Sequence, residues 1–197
     1  MALQWHDRAQ RYGVVTRLLH WLMAALILWQ LLGMAVKLLL GRVPLAGFFV
    51  GLHAPVGFVL FGLVIVRVIW AFCARNRPAH GAGAIGLAAR AGHGALYALM
   101  VVIPSLGMLR AWANTRAFTP FGIPVFPARE AEVTWAVTLA DRLHGPLGWA
   151  LAAIVAGHIG MVILHGWLWR DGTFARMAGR PAAGDLGAER GGRRRSV

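Results

Sequence analysis

Six of the eight histidines in this chain of 197 residues fall where an ionisable side chain is rare. His20, His53, His144, His158 and His165 lie inside long runs free of Asp, Glu, Lys and Arg, and His93 stands near the start of another. Ionisable groups in such settings are functional candidates by default, because removing them from water is costly. No carboxylate accompanies them within the runs, so a proton or cation pathway built on Asp and Glu has no members. What remains is neutral imidazole, a ligand for a metal ion or for haem iron.

The spacing of His144 and His158 sharpens that chemistry. Fourteen residues of α-helix turn the second side chain only about 40° from the first and carry it about 21 Å along the axis. One helix face therefore presents two imidazoles at two depths, which is what a pair of stacked sites requires. His165, seven residues further on, returns to nearly the same face.

The elements that position these residues follow from the charge-free runs: Leu18 to Val36, Val43 to Val66, Ala91 to Leu109 and Leu143 to Trp169. Each approaches or exceeds the roughly 20 apolar residues that cross a bilayer. The composition agrees, with 58% hydrophobic and 14% charged residues, where soluble domains carry roughly 25% charged residues. The expected fold is all-α: an integral membrane four-helix bundle with spans about 15–37, 48–73, 91–112 and 142–169. It occupies residues 1–180, followed by a Gly- and Arg-rich tail, 181–197, suited to anionic lipid headgroups. The first run lacks a small-x-small cleavage site and is expected to remain as a span.

The net charge of +13 could suggest nucleic acid, but membrane topology accounts for it. Fourteen of the 20 Lys and Arg flank the ends of the spans on the side of the termini, and six lie on the other side. The positive-inside rule then places both termini in the cytoplasm. Trp21, Trp70, Trp112, Trp167 and Trp169 near the span ends read as an interfacial belt. The second outer connection, Ala113 to Asp141, contains Pro120, Pro124 and Pro127, which argue against a continuous helix there. Cys73 is the only cysteine, which excludes a disulfide within the chain and a C-x-x-C-H haem attachment. No P-loop, H-E-x-x-H helix or dinucleotide fingerprint is present.

Depth now sorts the histidines into pairs. His53, near the outer start of the second span, matches His144, and His20, near the inner start of the first, is opposite His158. Two bis-histidine haems, one near each membrane surface, would carry electrons across. By depth alone His165 serves as well as His158 opposite His20. The competing account makes the imidazoles polar links between helices; four of them on three helices, in two depth-matched pairs, weigh against it. Gly57, Gly148 and Gly157 beside them could admit a macrocycle, though small residues also serve plain helix packing.

These residues resemble the bacterial cytochrome b561 family of four-helix dihaem membrane proteins. The likeness runs from about Tyr12 to Met177. It rests on Arg17, Leu18, Leu19, His20 and Trp21; Gly51, Leu52 and His53; Gly92, His93 and Gly94; and Phe121, Gly122, Ile123 and Pro124. His144, His158 and the segment from His165 to Asp171 complete it. The resemblance implies two noncovalent b haems with His20, His53, His144 and His158 as axial ligands, residence in the bacterial inner membrane, and electron exchange with quinone. One branch of the family oxidises periplasmic superoxide and reduces ubiquinone, and that activity is the leading expectation. The alternative is a cytochrome b subunit relaying electrons between quinone and a dehydrogenase, a hydrogenase or a periplasmic cytochrome.

On the leading reading, Arg110, Arg116, Arg129 and Arg142 would concentrate the superoxide anion outside, or would instead pair with Glu130, Glu132 and Asp141. Arg17 and Arg67 are candidates for haem propionates, with snorkelling to headgroups as the competing role. His93 and His165 are candidates for the quinone site at the inner end.

Overall fold

The computed structural model describes residues 4–8, 11–74, 83–169 and 172–179. Four long helices carry the chain back and forth: α1 Val14–Leu40, α2 Pro44–Cys73, α3 Gly83–Ala113 and α4 Thr134–Leu164. One π-helical turn, His165–Trp169, extends α4, and a short helix, α5, spans Thr173–Ala178. All four long helices have the length and hydropathy to cross a membrane.

Apolar side chains cover their outer faces. Leu39 is 79% exposed and Phe72 84%, an arrangement that suits lipid as the surrounding solvent and would aggregate in water. The fold is thus a four-helix membrane bundle. Because the number of crossings is even, one end of the bundle carries both termini and the other carries the two hairpin loops. These are called the terminal end and the loop end below.

The helices outrun the charge-free stretches. α3 begins at Gly83 and α4 at Thr134, because a charged residue ends an apolar run without breaking the i to i−4 hydrogen bonds of a helix. The α3–α4 connection is therefore 114–133, shorter than the Ala113 to Asp141 read from the sequence. Its three prolines do lie outside regular α-helix, and Pro120 is fully buried in a short 3-10 turn, Pro120–Gly122. Phe118 and Phe126 pair there through backbone hydrogen bonds, and Phe118 packs against Phe58 of α2. The tail, 181–197, lies outside the described residues.

Packing divides the bundle into two antiparallel hairpins, α1 with α2 and α3 with α4, joined chiefly by α2 against α3. Gly33 allows the first hairpin to close: a Cβ there would stand 2.8 Å from the Cβ of Phe49. Trp29 packs at a tilt beside it on Phe49, with ring centres 4.7 Å apart. The space between the hairpins is where the histidines meet.

At the terminal end the chain folds over itself. Residues 4–8 and 11–13 form a strap anchored by the Val14 N–H donating to the Gln4 carbonyl at 2.9 Å. α5 returns to α1, where the Trp21 indole N–H reaches the Met177 carbonyl at 3.3 Å. Several belt tryptophans thus have specific partners. Trp70 donates to the Thr16 hydroxyl at 2.8 Å and stacks on His6, and Trp112 lies under the Arg129 guanidinium at 4.4 Å.

Candidate functional site

At the loop end, His53 of α2 and His144 of α4 face each other with ring centres 5.9 Å apart. His144 Nδ1 lies 3.0 Å from the Ile103 carbonyl of α3. That carbonyl can only accept, so Nδ1 carries the proton and Nε2 presents a lone pair, the usual way an outer partner sets an imidazole ligand. Gly107 lies beside the ring: a Cβ there would stand 3.4 Å from His144 Cε1, an ordinary van der Waals contact. The His53 carbonyl accepts from Gln30 Nε2 at 2.8 Å. His53 Nδ1 is buried with no hydrogen-bond partner among the described residues.

Two cavities share this pair. One, of about 450 Å³, is mostly apolar and lies between all four helices, with Met34, Leu60, Met100 and Gly148 in its walls. The other, of about 720 Å³, adjoins the α3–α4 connection and is lined by Arg110, Asn114, Arg116 and Asp141 as well as both histidines. A Cβ on Gly145 or Gly148 would meet nothing within 4 Å. The open space runs up to the helix backbone on that side.

At the terminal end, His20 of α1 and His158 of α4 stand 6.4 Å apart, centre to centre. His93 of α3 lies on another side of His158 at 5.5 Å, and its Nδ1 is 2.7 Å from the Ala89 carbonyl. The ring of His165 packs on Trp169 at 4.5 Å. Arg67 crosses this end, donating to the Thr16 carbonyl at 3.0 Å and the Tyr97 hydroxyl at 3.1 Å. The Arg17 guanidinium lies against Gly179 at the end of α5, and its Nε is buried without a partner among the described residues.

The donor sets discriminate between a bare ion and a cofactor. Among the described residues no three His, Cys, Asp or Glu converge to hold a metal ion. Two imidazoles per site suffice only for a metal whose other ligands arrive with it, as iron does in a porphyrin. The ring centres of the two pairs are 5.9 and 6.4 Å apart, close enough for each pair to hold one metal atom that brings its other ligands with it, and the loop-end cavities provide apolar space beside theirs.

Of the four outer arginines, Arg110 is ion-paired with Asp141. Arg129 donates to the Trp112 carbonyl at 2.7 Å, and Arg116 lines the larger cavity. Several supporting residues escaped the sequence reading. Gln30 is an uncharged polar residue within an apolar run and gave no charge signal. Pro55 and Pro146 each follow a loop-end histidine by two residues, and Pro104 follows Ile103. This repeated His-x-Pro spacing is a signal that could have marked the site.

A membrane helical bundle that presents paired, cofactor-ready imidazoles defines the class: a membrane-embedded cytochrome scaffold. The chain belongs to the prokaryotic cytochrome b561 family, whose model matches residues 11–180. It is similar to cytochrome b561 homolog 2 of Escherichia coli (strain K12), with 28% identity over 184 residues covering 88% of this chain and 94% of that protein. The protein is accordingly a membrane electron-transfer protein of a b-type haem family.

Proposed function

We propose that this protein oxidises superoxide at its loop end and reduces ubiquinone at its terminal end, in the bacterial inner membrane with both termini cytoplasmic. The observation that carries the reading is the larger loop-end cavity, where Arg110 and Arg116 stand in the same walls as His53 and His144. An anion entering it meets cationic side chains beside the imidazole pair, and such focusing raises association rates by about 10 to 10³. Arg116 is the principal attractor, because the charge of Arg110 is offset by Asp141.

His53 with His144, and His20 with His158, would hold two b haems, which supply one-electron chemistry when bound. The Ile103 carbonyl keeps the Nδ1 proton of His144 in place and so keeps Nε2 basic. The smaller cavity excludes water by its apolar walls. Arg67 and Arg17 supply positive charge at the terminal end for haem propionates. His93, exposed beside His158, and His165 bound the region where quinone would arrive from the lipid. Overall, two superoxide anions each lose one electron to give oxygen, and one ubiquinone takes those electrons with two protons.

The test is a reduced-minus-oxidised spectrum with haem quantitation on the purified protein, repeated while superoxide is generated with and without ubiquinone. Two b haems reduced by superoxide and reoxidised by quinone are expected. Haems indifferent to superoxide would instead assign the protein to relaying electrons between quinone and a dehydrogenase, a hydrogenase or a periplasmic cytochrome.

A further inference from the structure

We propose that Lys37, near the loop end of α1, anchors a propionate carboxylate of the haem held by His53 and His144. This rests on the haem placement above and adds to the loop-end site a charged contact that its two imidazoles do not supply.

The 450 Å³ cavity beside the imidazole pair is walled mostly by apolar side chains, and apart from the histidines Lys37 is the one charged residue that lines it. Lys37 is itself exposed, so its ammonium stands at the rim of the cavity rather than in its depth. An apolar space with a single cation at its edge selects a molecule that is apolar over most of its body and anionic at one end. A porphyrin with propionate arms has that form. An anionic group placed in the same space without a counter-ion would lose its hydration uncompensated.

The position of Lys37 on its helix is specific. The α1 residues that line the cavity, Ile27, Gln30, Leu31, Met34, Lys37 and Leu38, recur at intervals of three and four and make one continuous face. Lys37 thus belongs to the stripe that faces the imidazoles, while Leu32 and Leu39 are exposed on the outside of the bundle. A lysine that served only to reach lipid headgroups could stand on any face at this depth.

Its depth is equally suited. Gln30 Nε2 donates to the His53 carbonyl at 2.8 Å and so marks the level at which α1 meets the ligand's backbone. Lys37 follows seven residues later, about 10.5 Å nearer the loop end by helix rise. It stands between the imidazoles and the loop-end surface, where an ammonium can donate to a carboxylate through a charge-assisted hydrogen bond. The nearby cations differ from it. Arg110 and Arg116 line the other cavity, and Arg110 is neutralised by Asp141, whereas Lys37 forms no ion pair among the described residues.

The experiment titrates the full-length apoprotein with protohaem and, separately, with protohaem dimethyl ester, whose propionates are uncharged. Wild type is compared with Lys37→Met, which keeps an apolar stem and removes the charge, and with Lys37→Arg. With protohaem, one of the two equivalents should bind at least about tenfold more weakly in Lys37→Met, and Lys37→Arg should recover most of that loss. The other equivalent, at His20 and His158, should bind as in wild type and reports that the variant is folded. With the dimethyl ester, wild type and Lys37→Met should titrate alike. In a His144→Ala background, which lacks the loop-end pair, Lys37→Met should change nothing further. Equal weakening with both porphyrins would overturn the proposal by making Lys37 a packing residue. A wild-type protohaem titration in Lys37→Met would overturn it too, leaving the lysine to lipid headgroups. Two tight equivalents in His144→Ala would instead refute the haem placement, and the anchor with it.

Discussion

Substitutions at Gly107 test the loop-end site without touching a ligand. Alanine places its Cβ 3.4 Å from His144 Cε1, an ordinary van der Waals contact, so Gly107→Ala should bind haem as the wild type does. Phenylalanine cannot be accommodated in the same way. Its ring must either overlap the imidazole, breaking the 3.0 Å bond to the Ile103 carbonyl, or swing into the 720 Å³ cavity that Gly107 also lines. Loss of an outer partner to a ligating histidine typically costs 10- to 100-fold in metal affinity, and Gly107→Phe should weaken loop-end haem binding by about that factor. The His20 and His158 pair lies about 21 Å away along α4 by helix rise, so its haem should remain. Haem titration of the apoprotein, followed by the reduced-minus-oxidised difference spectrum, should show two equivalents for wild type and Gly107→Ala. Gly107→Phe should show one tight equivalent and about half the amplitude. Two tight equivalents in Gly107→Phe would refute the placement of a haem at His53 and His144.

Three further outcomes follow from the same geometry. Gln30→Leu removes the hydrogen bond to the His53 carbonyl and should lower stability by about 1 kcal/mol, read as a lower thermal midpoint in detergent. Arg116→Gln should reduce the superoxide rate several-fold and flatten its dependence on salt, whereas Arg110→Gln, whose charge Asp141 already offsets, should do so less; stopped-flow kinetics across ionic strength would separate them. Tyr12, with its phenol raised above 10.0 by burial, binds its proton more tightly folded than unfolded. Its contribution to stability should be present below about pH 10 and fade as the pH rises through the folded value. Near-ultraviolet tyrosinate titration of wild type against Tyr12→Phe should reveal that late component.

The four spans were legible because each is a long apolar run, and the two depths because helix rise is fixed. The 14-residue separation of His144 and His158 therefore held its meaning from sequence to structure. The helix starts were less legible: Asp141 and Arg142 end an apolar run, yet α4 passes straight through them to Thr134. Gln30, Gly107 and the Ile103 carbonyl carried no sequence signal, since their roles lie across helices rather than along one.

Depth alone left His165 and His158 equally placed opposite His20. Only the tertiary structure turned His165 onto Trp169 and set His158 between His20 and His93. It likewise paired Arg110 with Asp141 and buried Asp7 within an N-terminal segment that has no periodic pattern. The reason is physical. Bonds within one helix are local and follow from residue type and spacing, whereas the rotation of one helix against another is set by contacts such as Gly33 on Phe49, between residues far apart in the chain.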